Sequence, residues 1–249
     1  MIKEGLLKFI GKLGYTITKN KSSVAGDFSA DNSFSEILNA CRDYSMTSIE
    51  RMYALYQAVH FVEKNDVEGD IVECGVWKGG SSMLAALSLK SLNSFNRHLF
   101  LYDTFEGMSN PSDLDISVDG DKPAEHWEKI SKDDKIFCYS SIDEVKVNLA
   151  KTSYPQTNIH FIKGKVEDTI PGTLPQKISI LRLDTDWFES TYHELKYLFP
   201  LLSKNGILII DDYGHWKGAR TAVDSYFKEM NIYPLLQRTD YTGRMMVKI

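Results

Sequence analysis

Hydrophobic and polar positions along the chain fall into two textures. From about residue 70, short apolar runs at 70–74, 98–102, 158–162, 178–183 and 207–210 alternate with stretches of helical spacing at about 80–92, 140–151, 189–202 and 217–230. Strands alternating with helices predict right-handed crossovers and a mostly parallel, doubly wound α/β sheet. The end of the chain breaks the alternation. Two strand-like runs, 233–238 and 245–249, are joined by 239–243, which reads as a hairpin connection, so the sheet is expected to end on an antiparallel strand. Ahead of the alternating part, 34–42 and 48–64 read as helices. The second carries Met52, Leu55, Tyr56, Val59 and Val62 on one face behind a Ser48 cap. Residues 1–45 are expected to form an N-terminal helical extension and linker. Ile2, Leu6, Leu7, Ile10 and Leu13 follow helical spacing, and 19–34 is small and polar. The stretch 104–134 has little regular pattern, and loops of that length are lids, binding loops or disordered segments.

Composition narrows the partners. With 249 residues the chain fits one α/β domain. Its net charge is −5 and it has no dense Lys/Arg stripe, which argues against nucleic acid as a partner. Cys41, Cys74 and Cys138 show no CxxC spacing and form an odd set, as expected for a reducing, cytoplasmic setting. No run approaches the roughly 20 apolar residues of a membrane span. The first helix lacks the apolar core and cleavage site of a signal peptide. Its apolar face is expected to pack on the domain or on a second subunit, which predicts a homo-oligomer.

Four constellations carry chemistry. In Ile71-Val-Glu-Cys-Gly-Val-Trp-Lys-Gly-Gly-Ser-Ser82 a strand ends in Glu73, passes Gly75 and enters a helix at Gly79-Gly80-Ser81. The spacing is not the GxGxxG of a pyrophosphate cradle. Free N–H groups at the helix start suit the carboxylate of S-adenosylmethionine, and Glu73 suits its ammonium. Asp103 closes the next strand where α/β folds place an acid for ribose hydroxyls. After the third strand comes a glycine turn at Gly164, where an adenine edge could meet the backbone around Lys165, Val166 and Glu167. The fourth constellation pairs Leu181-Arg-Leu-Asp-Thr-Asp-Trp187 with Ile207-Leu-Ile-Ile-Asp-Asp-Tyr-Gly214. Asp184, Asp186, Asp211 and Asp212 then sit at adjacent strand ends. Three or four carboxylates converging there would repel one another without a hard cation, Mg²⁺ before Mn²⁺ or Ca²⁺.

The elements YSMTSIERMYAL, DIVECGVWKGGSS, YDTFEGM, FIKGKVEDTIP, LRLDTDW, ILIIDDYGHWKGAR and DYTGR, in this order from about Tyr44 to Lys248, resemble the macrocin O-methyltransferase family. The resemblance implies a Rossmann-like class I methyltransferase domain over 46–249 that transfers a methyl group from S-adenosylmethionine to a sugar hydroxyl with the help of a metal. It implies metal ligands at Asp184, Asp211 and Asp212 and a general base at Asp186. Glu73, Gly75, Ser81 and Asp103 match the cofactor-binding pattern, and Met46-Thr47 resembles a segment that closes over the cofactor. The 104–134 stretch takes the place of the substrate lid. Catechol O-methyltransferases carry a lysine base three residues after the first Asp; here that position is Trp187. His215 is an alternative base or a substrate contact. A dehydrogenase on the same sheet and a non-catalytic nucleoside-binding module are the rival readings.

Overall fold

The computed structural model describes residues 27–132 and 134–249. The helix expected over the first residues and most of the 19–34 linker lie outside the described residues. The described end of that linker is a 3₁₀ turn, Asp27–Ala30, and the start of helix α1, Asn32–Cys41. The larger compact unit runs from Glu36 to Ile249.

Within it, helix α2 spans Ile49–Lys64, capped by the Ser48 hydroxyl, which accepts from the Arg51 N–H. Met52, Leu55, Tyr56, Val59 and Val62 are all buried, with Ala58 beside them. The sheet is built from β1 Asp70–Cys74, β2 Leu99–Asp103, β3 Ile159–Lys163, β4 Ile178–Leu183, β5 Leu202–Ile210, β6 Gln237–Arg238 and β7 Arg244–Val247. Its order is β3-β2-β1-β4-β5-β7-β6. The first five strands are parallel, and β7 runs antiparallel to both β5 and β6. The crossovers carry helices α3 Gly80–Ser91, α4 Ile142–Ala150, the single turn α5 Val166–Thr169, and α6 Phe188–Leu198. Helix α7, Lys217–Glu229, leads to the terminal hairpin. Every residue of β4 is buried, as a central parallel strand covered on both faces must be.

Three boundaries differ from the pattern-based expectation by more than two residues. The helix expected to 202 stops at Leu198 and tightens into a 3₁₀ turn, Phe199–Leu201, because Pro200 cannot supply the next helical N–H. Strand β5 therefore starts early, at Leu202, and passes through polar Ser203-Lys204-Asn205 with Asn205 in the left-handed region (φ +64°). The strand expected over 233–238 shrinks to two residues. Pro234 interrupts it, and Tyr233 and Leu235 stand in solvent.

The 104–134 stretch contains only short 3₁₀ turns and one isolated bridge, Ser117 to Trp216, yet it is tied down. Buried Asp115 accepts the Phe188 N–H at 2.8 Å, and the Trp187 indole donates to the Ser109 carbonyl at 2.9 Å. Trp127 packs edge-on against Trp187, which packs edge-on against Trp216. A Cβ at Gly218 would overlap the Asp115 carboxylate, so only glycine admits this approach. Trp187, where a catechol-type enzyme would carry its lysine, is here the anchor of the segment.

Candidate active site

Parallel pairing aims the carboxyl ends of β1, β2, β4 and β5 at one side of the sheet, where open α/β folds bind ligands. The ladder continues one step beyond the strands. Asp184 N–H donates to the Cys74 carbonyl and Asp211 N–H to the Leu183 carbonyl. Two acidic loops are thereby held side by side above β1. Gly75 is required beneath them: it lies in the left-handed region (φ +82°), and a Cβ there would overlap the Asp184 carbonyl.

A single cavity opens at this edge. It is lined by Met46, Thr47, Glu73, Gly75, Ser81 and Asp103, by Gly164, Val166 and Glu167, and by Asp184, Asp186, Asp211 and Asp212. Two sequence candidates are placed elsewhere. Gly79 caps α3 with φ +88°, and the position its Cβ would take faces Leu149 and Val145 of α4 rather than the cavity. His215 is not among the lining residues. Its Nδ1 sits 2.8 Å from the Tyr241 hydroxyl and its carbonyl accepts the Val118 N–H, so it belongs to the anchorage of the 104–134 stretch.

On the cofactor side, Asp103 is spent partly on the fold. Its Oδ2 accepts the N–H groups of Val76 (2.6 Å) and Trp77 (3.0 Å), and its Oδ1 accepts that of Phe105. Burial pushes its carboxyl up, and those three backbone donors pull it back. Glu73 is likewise partnered, by the Ser82 hydroxyl and by Arg182. Helix α3 starts at Gly80, where a Cβ would press on the Tyr44 carbonyl at 2.6 Å, so the segment leading to Met46 and Thr47 lies directly over the helix start.

The acid side holds the main departure from the expected ligands. One oxygen each of Asp184, Asp186 and Asp212 lie within 4.8 Å of one another. Asp211 is not part of that group. Its Oδ1 accepts from the Arg182 guanidinium at 2.7 Å, and its Oδ2 is taken by Arg51. Asp211 is the expected ligand that stands apart from this group. Two guanidiniums hold the oxygens it would give to an ion, while Asp186, expected only as a base, stands in the convergent group. The group is short of positive charge. Burial pushes Asp184 and Asp212 well above the usual carboxylate range, Arg182 opposing it at Asp184 and the neighbouring acids adding to it at both. Burial likewise raises Asp186 to about 7. Oδ2 of Asp212 is buried with no hydrogen-bond partner among the described residues. Half-buried carboxylates sharing a space, one with a buried orphaned oxygen, are the donor set that a hard divalent cation satisfies. Asp186 also holds φ +65°, a strained backbone for a side-chain-bearing residue.

Arg182 and Arg51 were missed in the sequence. Arg182 lies within the fully buried strand β4 and bonds Glu73 (2.6 Å), Asp184 (2.7 Å), Asp211 (2.7 Å) and Thr47 (3.1 Å). A charged residue inside a buried apolar run was the available signal. Arg51 looks like any exposed helix residue in sequence, and only the fold shows it bridging Asp211 to Asp240 of the terminal hairpin turn.

A model of the macrocin O-methyltransferase (TylF) family matches residues 21–248. The chain belongs to that family. It is therefore an S-adenosylmethionine-dependent O-methyltransferase. Among similar proteins is 8-demethyl-8-(2,3-dimethoxy-alpha-L-rhamnosyl)-tetracenomycin-C 4'-O-methyltransferase of Streptomyces olivaceus, 31% identical over 80% of this chain and 74% of that protein. Demethyldecarbamoylnovobiocin O-methyltransferase of Streptomyces niveus is 30% identical over 84% of this chain and 79% of its own. The solved structure of the O-methyltransferase NovP aligns with a TM-score of 0.71 and 28% identity over 82% of both chains. That likeness bears out the class I methyltransferase fold, antiparallel edge included, and removes the dehydrogenase reading. No helix among the described residues is long and apolar enough to cross a membrane.

Proposed function

We propose that this methyltransferase acts on a hydroxyl of a sugar or sugar-containing small molecule and that a divalent cation, Mg²⁺ first, takes part. The observation that carries the metal is the half-buried, convergent group of Asp184, Asp186 and Asp212 with its buried, orphaned Asp212 oxygen. The sugar rests on the relatives, whose names specify a rhamnosyl tetracenomycin and a novobiocin precursor as acceptors. Asp184 and Asp212 are common to the ligand set implied by family resemblance and to the convergent group, and these two would hold the ion. Mg²⁺ commonly keeps water and substrate oxygens beside one or two carboxylates. A cation bound there would lower the pKa of a coordinated acceptor hydroxyl.

Asp186 is within reach of the same space and would accept the hydroxyl proton. Arg182 and Arg51 hold Asp211 in place. Asp103 and Glu73 would receive the ribose and the ammonium of S-adenosylmethionine through lone pairs their present partners leave free. Met46 and Thr47 would cover the cofactor, and the 104–134 stretch would wall the acceptor side. The test is a methyl-transfer assay on a panel of deoxysugar glycosides with and without chelator, paired with calorimetric titration of S-adenosylmethionine. Loss of transfer with EDTA and its return with Mg²⁺ is expected. Cofactor binding without transfer to any member of the panel would place the acceptor outside the sugar class, and transfer unaffected by EDTA would overturn the metal.

A further inference from the structure

Glu194 is a buried acid with no part in the scheme above. It lies on α6 with no exposed surface and forms no ion pair among the described residues. Burying a carboxyl without a cation is costly, and an apolar side chain would be cheaper at such a helix position. One of its oxygens accepts the Thr185 hydroxyl at 3.0 Å, and the other has no hydrogen-bond partner among the described residues. Thr185 separates Asp184 from Asp186, and its hydroxyl has no other partner among the described residues. The backbone there is tightly turned. Asp184 N–H reaches back to Cys74, Trp187 N–H donates to the Thr185 carbonyl at 2.7 Å, and Asp186 sits in the left-handed region. Such a conformation persists only where neighbouring contacts over-determine it. The Glu194–Thr185 bond clamps the middle of this turn from behind through its side chain, beside a longer contact of the Ser190 hydroxyl with the Thr185 carbonyl at 3.4 Å.

We infer that Glu194 is a positioning residue: by holding the Thr185 hydroxyl it fixes the 184–186 turn and so the spacing of the Asp184 and Asp186 carboxylates. The inference rests on the reading that those two acids serve cation binding and proton transfer. Three variants test it. Glu194→Leu removes the acceptor, Thr185→Val removes the donor, and Glu194→Gln keeps a carbonyl oxygen for the hydroxyl. Each is assayed for kcat, for KM towards S-adenosylmethionine, for Mn²⁺ affinity by electron paramagnetic resonance and for thermal midpoint. Residues that orient ligands from behind typically matter by about 10–100-fold in metal affinity or activity. Glu194→Leu and Thr185→Val should each lose kcat and Mn²⁺ affinity on that scale with cofactor KM unchanged. The double variant should be no worse than either single one, and Glu194→Gln should stay near wild type. Should Glu194→Leu fail to fold, Thr185→Val, which exchanges one hydroxyl for a methyl, carries the test. Unchanged kcat and Mn²⁺ affinity in Thr185→Val, or additive losses in the double variant, would overturn the inference. Wild-type protein that neither binds Mn²⁺ nor transfers methyl would instead overturn the functional reading beneath it.

Discussion

Arg182 Nη2 lies 2.7 Å from Asp211 Oδ1, joining a buried residue of β4 to the buried residue just past the end of β5. The same guanidinium reaches Glu73 and Asp184 through Nη1, so one side chain spans the cofactor side and the acid side of the cavity. Replacing it leaves buried Glu73 and Asp211 and half-buried Asp184 short of their counter-charge. Breaking a buried pair typically costs about 3–5 kcal/mol. Arg182→Met should therefore lower the thermal midpoint sharply, measured by calorimetric unfolding. A midpoint equal to wild type would mean that the carboxylates are neutralised some other way.

Asp103 ties the loop after β1 to the end of β2 while facing the cavity. An alanine there would loosen the loop as well as remove the ribose contact. Asp103→Asn separates the two, since the amide oxygen still accepts one set of N–H groups. Losing a hydrogen bond to a charged group costs on the order of 1.5–3 kcal/mol. Calorimetry should show that much weaker S-adenosylmethionine binding, with the unfolding midpoint falling less than in Asp103→Ala, because only one set of N–H groups loses its acceptor. Wild-type affinity would remove Asp103 from the cofactor site.

The strands carrying the site were legible because buried parallel strands read as continuous apolar runs, and β1 and β4 begin and end where the pattern puts them. The acids at their ends were legible for the same reason, each being the first polar residue past an apolar run. What the pattern could not supply was direction. Asp211 and Asp212 are neighbours in sequence, yet one turns to Arg182 and Arg51 and the other towards Asp184 and Asp186. Arg51 and Asp240 are far apart in the chain, and their pairing depends on how α2 meets the terminal hairpin. The anchoring of 104–134 was equally hidden, because it depends on three tryptophans from separate segments and on a glycine that lets Asp115 approach.

That anchoring changes what is expected of the stretch. A freely moving lid would be cut anywhere along 104–134, whereas here the exposed run is centred on Val118–Lys122, with Asp115 and Trp127 buried on either side. Endoproteinase Asp-N, which cuts before aspartate, should cleave the ligand-free protein slowly, at Asp119 or Asp121 first. Asp115→Ala removes acceptors for Ser112 and Phe188 and leaves their N–H groups unpaired, at about 1–3 kcal/mol for a buried group. Cleavage should then accelerate and spread to neighbouring aspartates such as Asp113. Rapid cutting of the wild type across the whole stretch would contradict the anchored arrangement.

His98 Nδ1 lies 2.6 Å from His160 Nε2, with the rings stacked. Burial, then the facing His98, lower the His160 pKa, while Asp70 partly opposes them. The folded state therefore binds this proton less readily than the unfolded chain, whose reference value is 6.5. Stability from this pair is intact above that pH and falls as pH drops below it. The ring is largely solvent-screened, so the effect should be a shallow slope in denaturation midpoint below pH 6.5. His160→Gln should flatten it. An equal slope in both proteins would place the sensitivity elsewhere.

The acids at the strand ends separate by what each substitution spares. Asp184→Ala and Asp212→Ala each remove a carboxylate of the convergent group, and both should abolish Mn²⁺ binding while S-adenosylmethionine still binds. Asp186→Asn should behave differently. A base acts in the chemical step, so metal and cofactor affinities should persist while turnover falls by about 10²–10⁴-fold. Asp211→Asn is the deciding case, because both its oxygens are held by guanidiniums. If those contacts persist when the ion binds, the substitution should lower stability more than Mn²⁺ affinity, in contrast to Asp184→Ala. Loss of Mn²⁺ binding by Asp211→Asn with retention by Asp186→Asn would show that Asp211 exchanges a guanidinium for the ion, restoring the ligand set Asp184, Asp211 and Asp212. Loss by Asp186→Asn with retention by Asp211→Asn would make Asp186 the third ligand and leave the base to be found. His215→Gln, measured beside them, should stay close to wild-type turnover, since the His215 ring bonds Tyr241 outside the cavity lining.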